Sequence, residues 1–404
     1  MKRVCLISTL NHNVGDDFVR EGILCLLREV LGPVETRVIH KHFPATARGQ
    51  PWPQLDQLTR GVPNWLSWRS RFSRAADVLP MNPAADLVLS SDLVVQCGAP
   101  VYWKNVWSTC AQTEWFGPLI EQRWRKAERS VPLLNLGAGS CQAWGSDGTE
   151  IVEDAQCQSF IERFTGWSAL TTVRDSLAQR IVSQCGHEVP LLPCPSIFTP
   201  GSLHLQPGAG EYIALNYMPQ GGHYDLAGGG EQARQRWEDA FCKAARDLAQ
   251  HQACLLICHD RRELAEAKRL LPEIPRFHSL DWREYLKAYS RCRIAVVNRV
   301  HGAVVAAAMG RRVLLTGNDT RLLAAAEVPG LIVLPVSEVV DSFSERVAEL
   351  LRLPAALPPV EWIETTRAHY LELLSAKLGV GMARKSARKR SASPSLIAIP
   401  VGAP

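Results

Sequence analysis

Apolar residues along the chain form short continuous runs that alternate with stretches of helical spacing. Each β-branched run is followed by a polar turn and then by a segment whose apolar positions repeat every three or four residues. This order is found in residues 3–31, 92–129, 131–164 and 169–185, and it resumes between 212 and 353. Strands that alternate with helices in this way predict parallel sheets covered on both faces, and therefore an α/β fold.

The chain divides where this pattern is interrupted. Prolines and glycines concentrate near residues 196–210, which predicts a linker between an N-terminal doubly wound domain, 1–195, and a C-terminal one, 211–353. A length of 404 residues agrees with two domains. A helix within 354–378 is expected to cross back onto the first domain, and the basic segment 379–404 is expected to be disordered.

Residues 40–83 depart from the alternation because they are rich in proline, tryptophan and arginine. We interpret this stretch as an insertion that caps the first domain. Interleaved aromatic and arginine side chains also occur where sugars or nucleic acids stack, so a binding role for the insertion stays open.

Composition excludes several classes of protein. No apolar run reaches the roughly 18 residues of a membrane span. The 12 cysteines lie mainly in apolar segments, which favours a reduced, cytoplasmic protein. The net charge of +5 comes largely from residues 384–390, so general nucleic-acid binding is disfavoured. Peripheral contact of this basic tail with an acidic membrane surface stays open, and the sequence does not indicate an oligomeric state.

No metal site is predicted either. The best candidate cluster is Cys254, Cys258 and His259, and the alternation of side chains along a strand places its thiols and its imidazole on opposite faces.

The strongest chemical signal follows the apolar run 294–297, where Arg299, Val300, His301 and Gly302 lead into a helix of small residues. This order places a guanidinium and an imidazole at the carboxyl end of a buried strand, beside a helix N-terminus. Ligands bind at this edge of open α/β sheets, and the fixed cations suit an anion. A salt-bridged turn arginine and a hydrogen-bonded histidine would give the same pattern. Other segments of the chain are therefore needed to distinguish a ligand site from a purely structural role.

Other strand ends carry further polar residues. Arg174 follows the strand at 169–173, and the candidate cleft residues at the remaining strand ends are Asn13, Gly15, Asp16, Asn216 and His259. Asp16 also suits the positive end of a helix dipole, so a purely structural role stays open for it. The turn after the first strand lacks the glycine spacing of a dinucleotide fingerprint or a P-loop, so no NAD or ATP is predicted.

Four pieces of the chain, in this order, resemble the polysaccharide pyruvyl transferase family. They are Asn13-x-Gly15-Asp16, Asp92 before an apolar strand and a glycine turn, Arg174-Asp175-x-x-Ala178, and Arg299-x-His301-Gly302. The resemblance covers about residues 1–335. It implies a fold similar to that of GT-B glycosyltransferases, in which two Rossmann-like domains face a cleft, and an activity that moves pyruvate from phosphoenolpyruvate onto two sugar hydroxyls as a ketal.

The resemblance also implies roles for named residues. Arg174 and Arg299 would clamp the phosphate and carboxylate of the donor, with Val300 and Gly302 beside it, and His301 would be the general acid. Bidentate guanidiniums suit the negative charges of phosphoenolpyruvate, and a histidine suits proton transfer near neutral pH. The C-terminal domain would hold the donor. The N-terminal domain would hold a saccharide or lipid-linked saccharide acceptor, and no cofactor is implied.

The chain departs from the family pattern at residues 96–100, where family members carry a run of glycines, and in the insertion at 40–83. Both departures affect the acceptor side. Two alternatives therefore stay open, a GT-B glycosyltransferase that uses a nucleotide sugar and a non-catalytic homologue that binds an anion.

Overall fold

A computed structural model describes most of the chain. The described residues are 1–10, 13–41, 43–48, 83–108, 111–127, 130–203, 205, 208, 210–222 and 230–380. Most of the insertion expected at 40–83, and the basic tail beyond residue 380, lie outside them.

The first domain contains a seven-stranded sheet. Its strands are β1 (Lys2–Ser8), β2 (Val34–His40), β3 (Phe43–Arg48), β4 (Leu93–Cys97), β5 (Pro100–Tyr102), β6 (Leu133–Ser140) and β7 (Leu170–Val173). The order across the sheet is β3-β2-β1-β4-β6, and β6 also pairs with β5 and β7. Every pairing is parallel except that of β3 with β2.

Helices cover both faces of this sheet. They are α1 (Val14–Leu31), α2 (Pro83–Ser90), α3 (Gln122–Ala127), α4 (Thr149–Val152), α5 (Ala155–Trp167) and α6 (Ser176–Gln184). A π-helical segment, Ala111–Glu121, leads into α3, and two 3₁₀ turns, Pro195–Phe198 and Pro200–Leu203, lead toward the second domain.

The second domain contains a six-stranded parallel sheet. Its strands are β8 (Tyr212–Asn216), β9 (Cys254–Ile257), β10 (Arg276–Phe277), β11 (Cys292–Val297), β12 (Arg312–Gly317) and β13 (Leu331–Pro335). Their order is β10-β9-β8-β11-β12-β13. Its helices are α7 (Gly230–Ala249), α8 (Arg261–Leu270), α9 (Trp282–Arg291), α10 (Val300–Ala308), α11 (Val336–Val339) and α12 (Phe343–Arg352). The predicted α/β class with two facing domains is confirmed.

The last helix, α13 (Val360–Leu378), crosses back and packs on α1 of the first domain. The hydroxyl of Tyr370 donates to the carbonyl of Pro193 at 3.0 Å, and its buried ring meets Phe198 edge to face. Arg367 forms an ion pair with Glu29 of α1 at 2.6 Å. None of the described helices is long and apolar enough to cross a membrane.

The two domains are joined by hydrogen bonds between the segments that follow β6 and β12. The amide of Thr320 donates to the carbonyl of Gln142 at 2.9 Å, and the amide of Trp144 donates to the carbonyl of Asn318 at 3.0 Å. The small residues of α10 also let that helix pack directly against α1. The carboxyl ends of both sheets therefore face one another.

Strand β6 is longer than predicted. The apolar run 131–136 predicts a strand that ends in a turn from Gly137, but β6 continues to Ser140. The backbone at Gly137 has φ +67°, a left-handed conformation that favours glycine. A Cβ on residue 139 would lie 2.7 Å from Nε of Arg174. The two glycines therefore let β6 pass close to Arg174 instead of turning away.

The spacing of apolar residues predicts helices over 118–129, 151–164 and 336–353, and all three differ from the structure. The helix expected over 151–164 is divided into α4 and α5 because the Asp154 side chain caps the start of α5. The helix expected over 336–353 is interrupted by a 3₁₀ turn between α11 and α12. The helix expected over 118–129 begins earlier, as the π-helical segment.

The contact between α1 and the first 3₁₀ turn predicts a large effect of adding one methyl group. A Cβ at Gly22 would overlap the carbonyl group of Pro195, whereas a Cβ at the exposed Gly166 of α5 would meet nothing within 4 Å. We expect Gly22→Ala to lower the free energy of unfolding by about 1–3 kcal/mol. Gly166→Ala is expected to raise it by up to about 1 kcal/mol, because alanine is the better helix former. Equal effects in urea titrations would show that α1 does not pack as described.

Candidate functional site

The ends of β7 and β11 bring a guanidinium and an imidazole together across the cleft. Arg174 follows β7, and His301 lies in the first turn of α10, immediately after β11. Nη1 of Arg174 lies 2.9 Å from Nε2 of His301. The structure therefore joins two of the predicted site residues from opposite domains.

Arg174 is buried with unused hydrogen-bonding capacity. Its side chain lies against Gly139, and Nη1 also contacts Sγ of Cys194 at 3.9 Å. Its buried Nε has no hydrogen-bond partner, and no carboxylate of the described residues lies at ion-pair distance from this guanidinium. A buried cation without an ion pair at contact distance is costly in a folded protein, so this position suits an anionic ligand.

His301 is partly exposed and packs on the first turn of α1. A Cβ at Gly15 would lie 2.6 Å from Nδ1 of His301, so only glycine fits there without displacing the ring. Burial and then the Arg174 charge lower the pKa of His301 from its ordinary 6.5 to about 3. The imidazole is thus neutral at pH 7, and Nε2 accepts the hydrogen bond from Arg174.

Asp16 lies beside this pair. Its carboxylate is attracted by the positive charges of Lys41 and Arg174. Burial alone would raise the pKa of Asp16, but these partners together hold it below its ordinary value. The predicted cleft residue Asn13 has a local role as well, because its Oδ1 accepts from the amide of Gly15 at 3.0 Å and caps α1.

Arg299 is held differently from Arg174. It precedes α10 as the N-terminal cap residue, and its buried guanidinium donates to two carboxylates of its own domain. Nη2 lies 2.5 Å from Oδ2 of Asp260, and Nε donates to Oε1 of Glu263. Burial raises the pKa of Glu263, whereas Asp260, although buried, is held below its ordinary pKa chiefly by the Arg299 charge.

Asn216 and His259 form hydrogen bonds to this ion-paired group. Oδ1 of Asn216 accepts from the amide of Arg299 at 3.0 Å, and its Nδ2 donates to Glu263 at 2.8 Å. The amide of His259 donates to the same carboxylate at 2.7 Å, and its buried ring lies 2.8 Å from the hydroxyl of Tyr289.

The other two donor-side residues of the prediction lie at the start of α10. A Cβ at Gly302 would lie 2.8 Å from Cε1 of His259, so a side chain there would push α10 away from the ring. Val300 is the first residue of that helix and is partly buried.

Sequence reasoning missed one further cation. Arg321 follows β12 and forms a two-pronged ion pair with Asp319, at 2.7 and 2.6 Å. Its charge acts on both His301 and Asp16. The signal that could have found it is the rule already used for Arg174, namely a charged residue just beyond the carboxyl end of a parallel strand. Over the described ranges, no group of three side chains could hold a metal ion.

The sequence profile of one known family, polysaccharide pyruvyl transferase, matches residues 13–320, which include all of the site residues predicted from the sequence. The chain belongs to the polysaccharide pyruvyl transferase family. The predicted resemblance is therefore confirmed, and the protein is an enzyme of the transferase class. No curated protein sequence gave a significant match to it.

Solved structures share the fold of this pyruvyl transferase family member at low sequence identity. The S. aureus MnaA co-structure with UDP is 13% identical with a TM-score of 0.53, over 94% of this chain and 98% of that one. UDP-GlcNAc 2-epimerase from Neisseria meningitidis, bound to UDP-GlcNAc, is 13% identical with a TM-score of 0.55, over 93% and 100%. The Methanocaldococcus jannaschii enzyme, in complex with UDP-GlcNAc and UDP, is 11% identical with a TM-score of 0.54, over 93% and 100%. These likenesses concern the fold alone, which is GT-B-like as predicted.

The contact between Arg174 and His301 predicts how the imidazole titrates. In ¹⁵N NMR spectra of the ligand-free protein, the His301 ring is expected to stay neutral down to about pH 4, because its pKa is about 3. Arg174→Gln should raise this pKa but leave it below 6.5, since burial is the larger cause. The control Arg180→Gln removes an exposed charge from α6 and should leave the titration unchanged. A His301 ring that titrates near pH 6.5 in the parent protein would contradict the described contact.

The two arginines should also differ in their effect on stability. Arg299→Met leaves two buried carboxylates without their cation, so we expect the free energy of unfolding to fall by about 3–5 kcal/mol. Arg174→Met removes a buried cation that has no carboxylate partner among the described residues and should be much less harmful. Urea titrations of both variants test this order, and a larger loss in Arg174→Met would refute it.

Proposed function

We propose that this pyruvyl transferase family member moves pyruvate from phosphoenolpyruvate onto two hydroxyls of a saccharide, or of a lipid-linked saccharide, as a ketal. One observation carries the proposal. Arg174, a buried guanidinium with an unpartnered Nε, contacts His301 across the cleft between the domains. This pair offers an anion-binding group and a proton-transfer group at one point.

The charges around the cleft support an anionic donor. Arg174 and Arg321 approach His301 from opposite domains, and phosphoenolpyruvate carries about three negative charges at neutral pH, which guanidiniums bind through paired hydrogen bonds. Arg299 would contribute through Nη1, because its Nε and Nη2 already bind carboxylates. Val300 and Gly302 would lie beside the donor at the start of α10, where the helix dipole also favours an anion.

The donor would change the protonation of His301. Without it, burial and the arginine charges keep the imidazole neutral. A bound trianion would offset those positive charges and raise the pKa of His301, so that the imidazole gains a proton. The imidazolium would then protonate the methylene carbon of phosphoenolpyruvate, which makes the neighbouring carbon electrophilic. General acid catalysis of this kind typically contributes about 10² to 10⁴-fold in rate.

The departure from the family pattern at residues 96–100 is compatible with retained chemistry. Cys97, Gly98 and Ala99 are buried, and Gly98 packs against Val19 of α1. Its amide donates to the carbonyl of Leu136 at 2.9 Å. These residues therefore support the sheet and α1, and their substitution leaves the pair at Arg174 and His301 in place.

Ligand-induced shifts in melting temperature test the proposal. Phosphoenolpyruvate should stabilise the parent protein and the control Arg180→Met, but not Arg174→Met, because that variant lacks the buried cation. His301→Asn should still bind the donor, whereas phosphate release in the presence of a panel of saccharide and lipid-linked saccharide acceptors should be lost.

Two results would contradict this assignment. Stabilisation by UDP or a nucleotide sugar, and not by phosphoenolpyruvate, would favour a glycosyltransferase. Stabilisation by phosphoenolpyruvate without phosphate release on any acceptor would favour a non-catalytic homologue.

A further inference from the structure

We propose that Asp16 is the general base that removes the proton from the first attacking hydroxyl of the acceptor. The inference rests on the proposed function, because it concerns the same reaction. It assigns the removal of the proton from the acceptor hydroxyl during the first addition. An imidazolium that is donating its proton to the donor carbon cannot accept another proton in the same step, so the first hydroxyl needs a separate base.

The balance of the reaction defines what this base must do. In the first addition, the donor's methylene carbon gains a proton from His301, the hydroxyl oxygen bonds to the neighbouring carbon, and the hydroxyl proton passes to Asp16. In the second step, the bond from that carbon to the phosphate oxygen breaks and the second hydroxyl oxygen takes its place. Its proton returns to His301, and the proton on Asp16 leaves with the phosphate. One acceptor proton thus ends on the methyl group and the other on phosphate.

Among the residues that the structure describes, the other carboxylates near the cleft are already engaged. Asp175 accepts from Ser140 and from the amide of Ala178, and it caps α6. Asp319 binds Arg321 with both oxygens. The remaining two acidic groups, Asp260 and Glu263, hold Arg299. Each of them would have to break a buried ion pair or a helix cap before accepting a proton.

The position and the charge of Asp16 suit a general base. It is nine-tenths buried in the first turn of α1, directly after the glycine that packs on His301. No ion pair at contact distance holds its carboxylate within the described part of the chain. Lys41 and Arg174 keep it ionised through longer-range attraction. Asp16 also belongs to the N-terminal domain, which we assign to the acceptor, and it faces the cations that we assign to the donor.

Asp16→Asn tests this role, with Asp17→Asn as the matched control. Asp17 lies on the same turn, but its carboxylate pairs with Arg20 at 2.5 Å. We expect Asp16→Asn to lower kcat for phosphate release by about 10² to 10⁴-fold. Its stabilisation by phosphoenolpyruvate should be unchanged or larger, because a negative charge has left an anion site. Asp17→Asn should keep kcat within about threefold of the parent value. Asp16→Glu should have a kcat at least about tenfold higher than that of Asp16→Asn.

The pH dependence of kcat distinguishes two roles for Asp16: a general base, and a residue that only favours the protonated form of His301. If Asp16 is the base, lowering the pH does not restore kcat in Asp16→Asn. If Asp16 acts only on the charge of His301, acid restores kcat, and the proposal is overturned. A kcat within threefold of the parent, or a loss of donor binding as large as the loss of kcat, would also overturn it. A parent protein that neither binds phosphoenolpyruvate nor releases phosphate would instead refute the proposed function, and this inference with it.

Discussion

The site depends on one hydrogen bond between the domains, from the guanidinium of Arg174 to the imidazole of His301. The bond requires close approach of backbones on both sides. Gly139 leaves room for the arginine, Gly15 leaves room for the histidine ring, and the small residues of α10 let that helix lie directly on α1. This contact therefore links the two domains and, together with burial, keeps the imidazole neutral.

The two arginines of the site illustrate different uses of a buried guanidinium. Arg299 is neutralised by Asp260 and Glu263, and this group connects the ends of β8, β9 and β11. Arg174 has no such partner in the described residues, so its charge is available to a ligand. A site built in this way combines a rigid support on one domain with an unsatisfied cation on the other, which suits an anion held between them.

The sequence predicted the fold well because burial on both faces of a parallel sheet leaves continuous apolar runs. It also predicted that Arg174, Arg299 and His301 lie at strand ends. It did not predict the partners of Arg299, because ion pairs between separate loops depend on tertiary packing that no local pattern encodes. Arg321 could have been found by the strand-end rule, but its interaction with Asp16 depends on how the end of β12 faces the first domain. The extension of β6 through Gly139 likewise follows from a tertiary contact.

A crystal structure of His301→Asn with phosphoenolpyruvate would test the central claim most directly. The account predicts that donor oxygens occupy the hydrogen-bonding positions of Arg174, including its buried Nε, and that the methylene carbon faces residue 301. Contacts from both domains to a single donor molecule would support the interdomain site. Donor bound within one domain, with Arg174 still unpartnered, would contradict it.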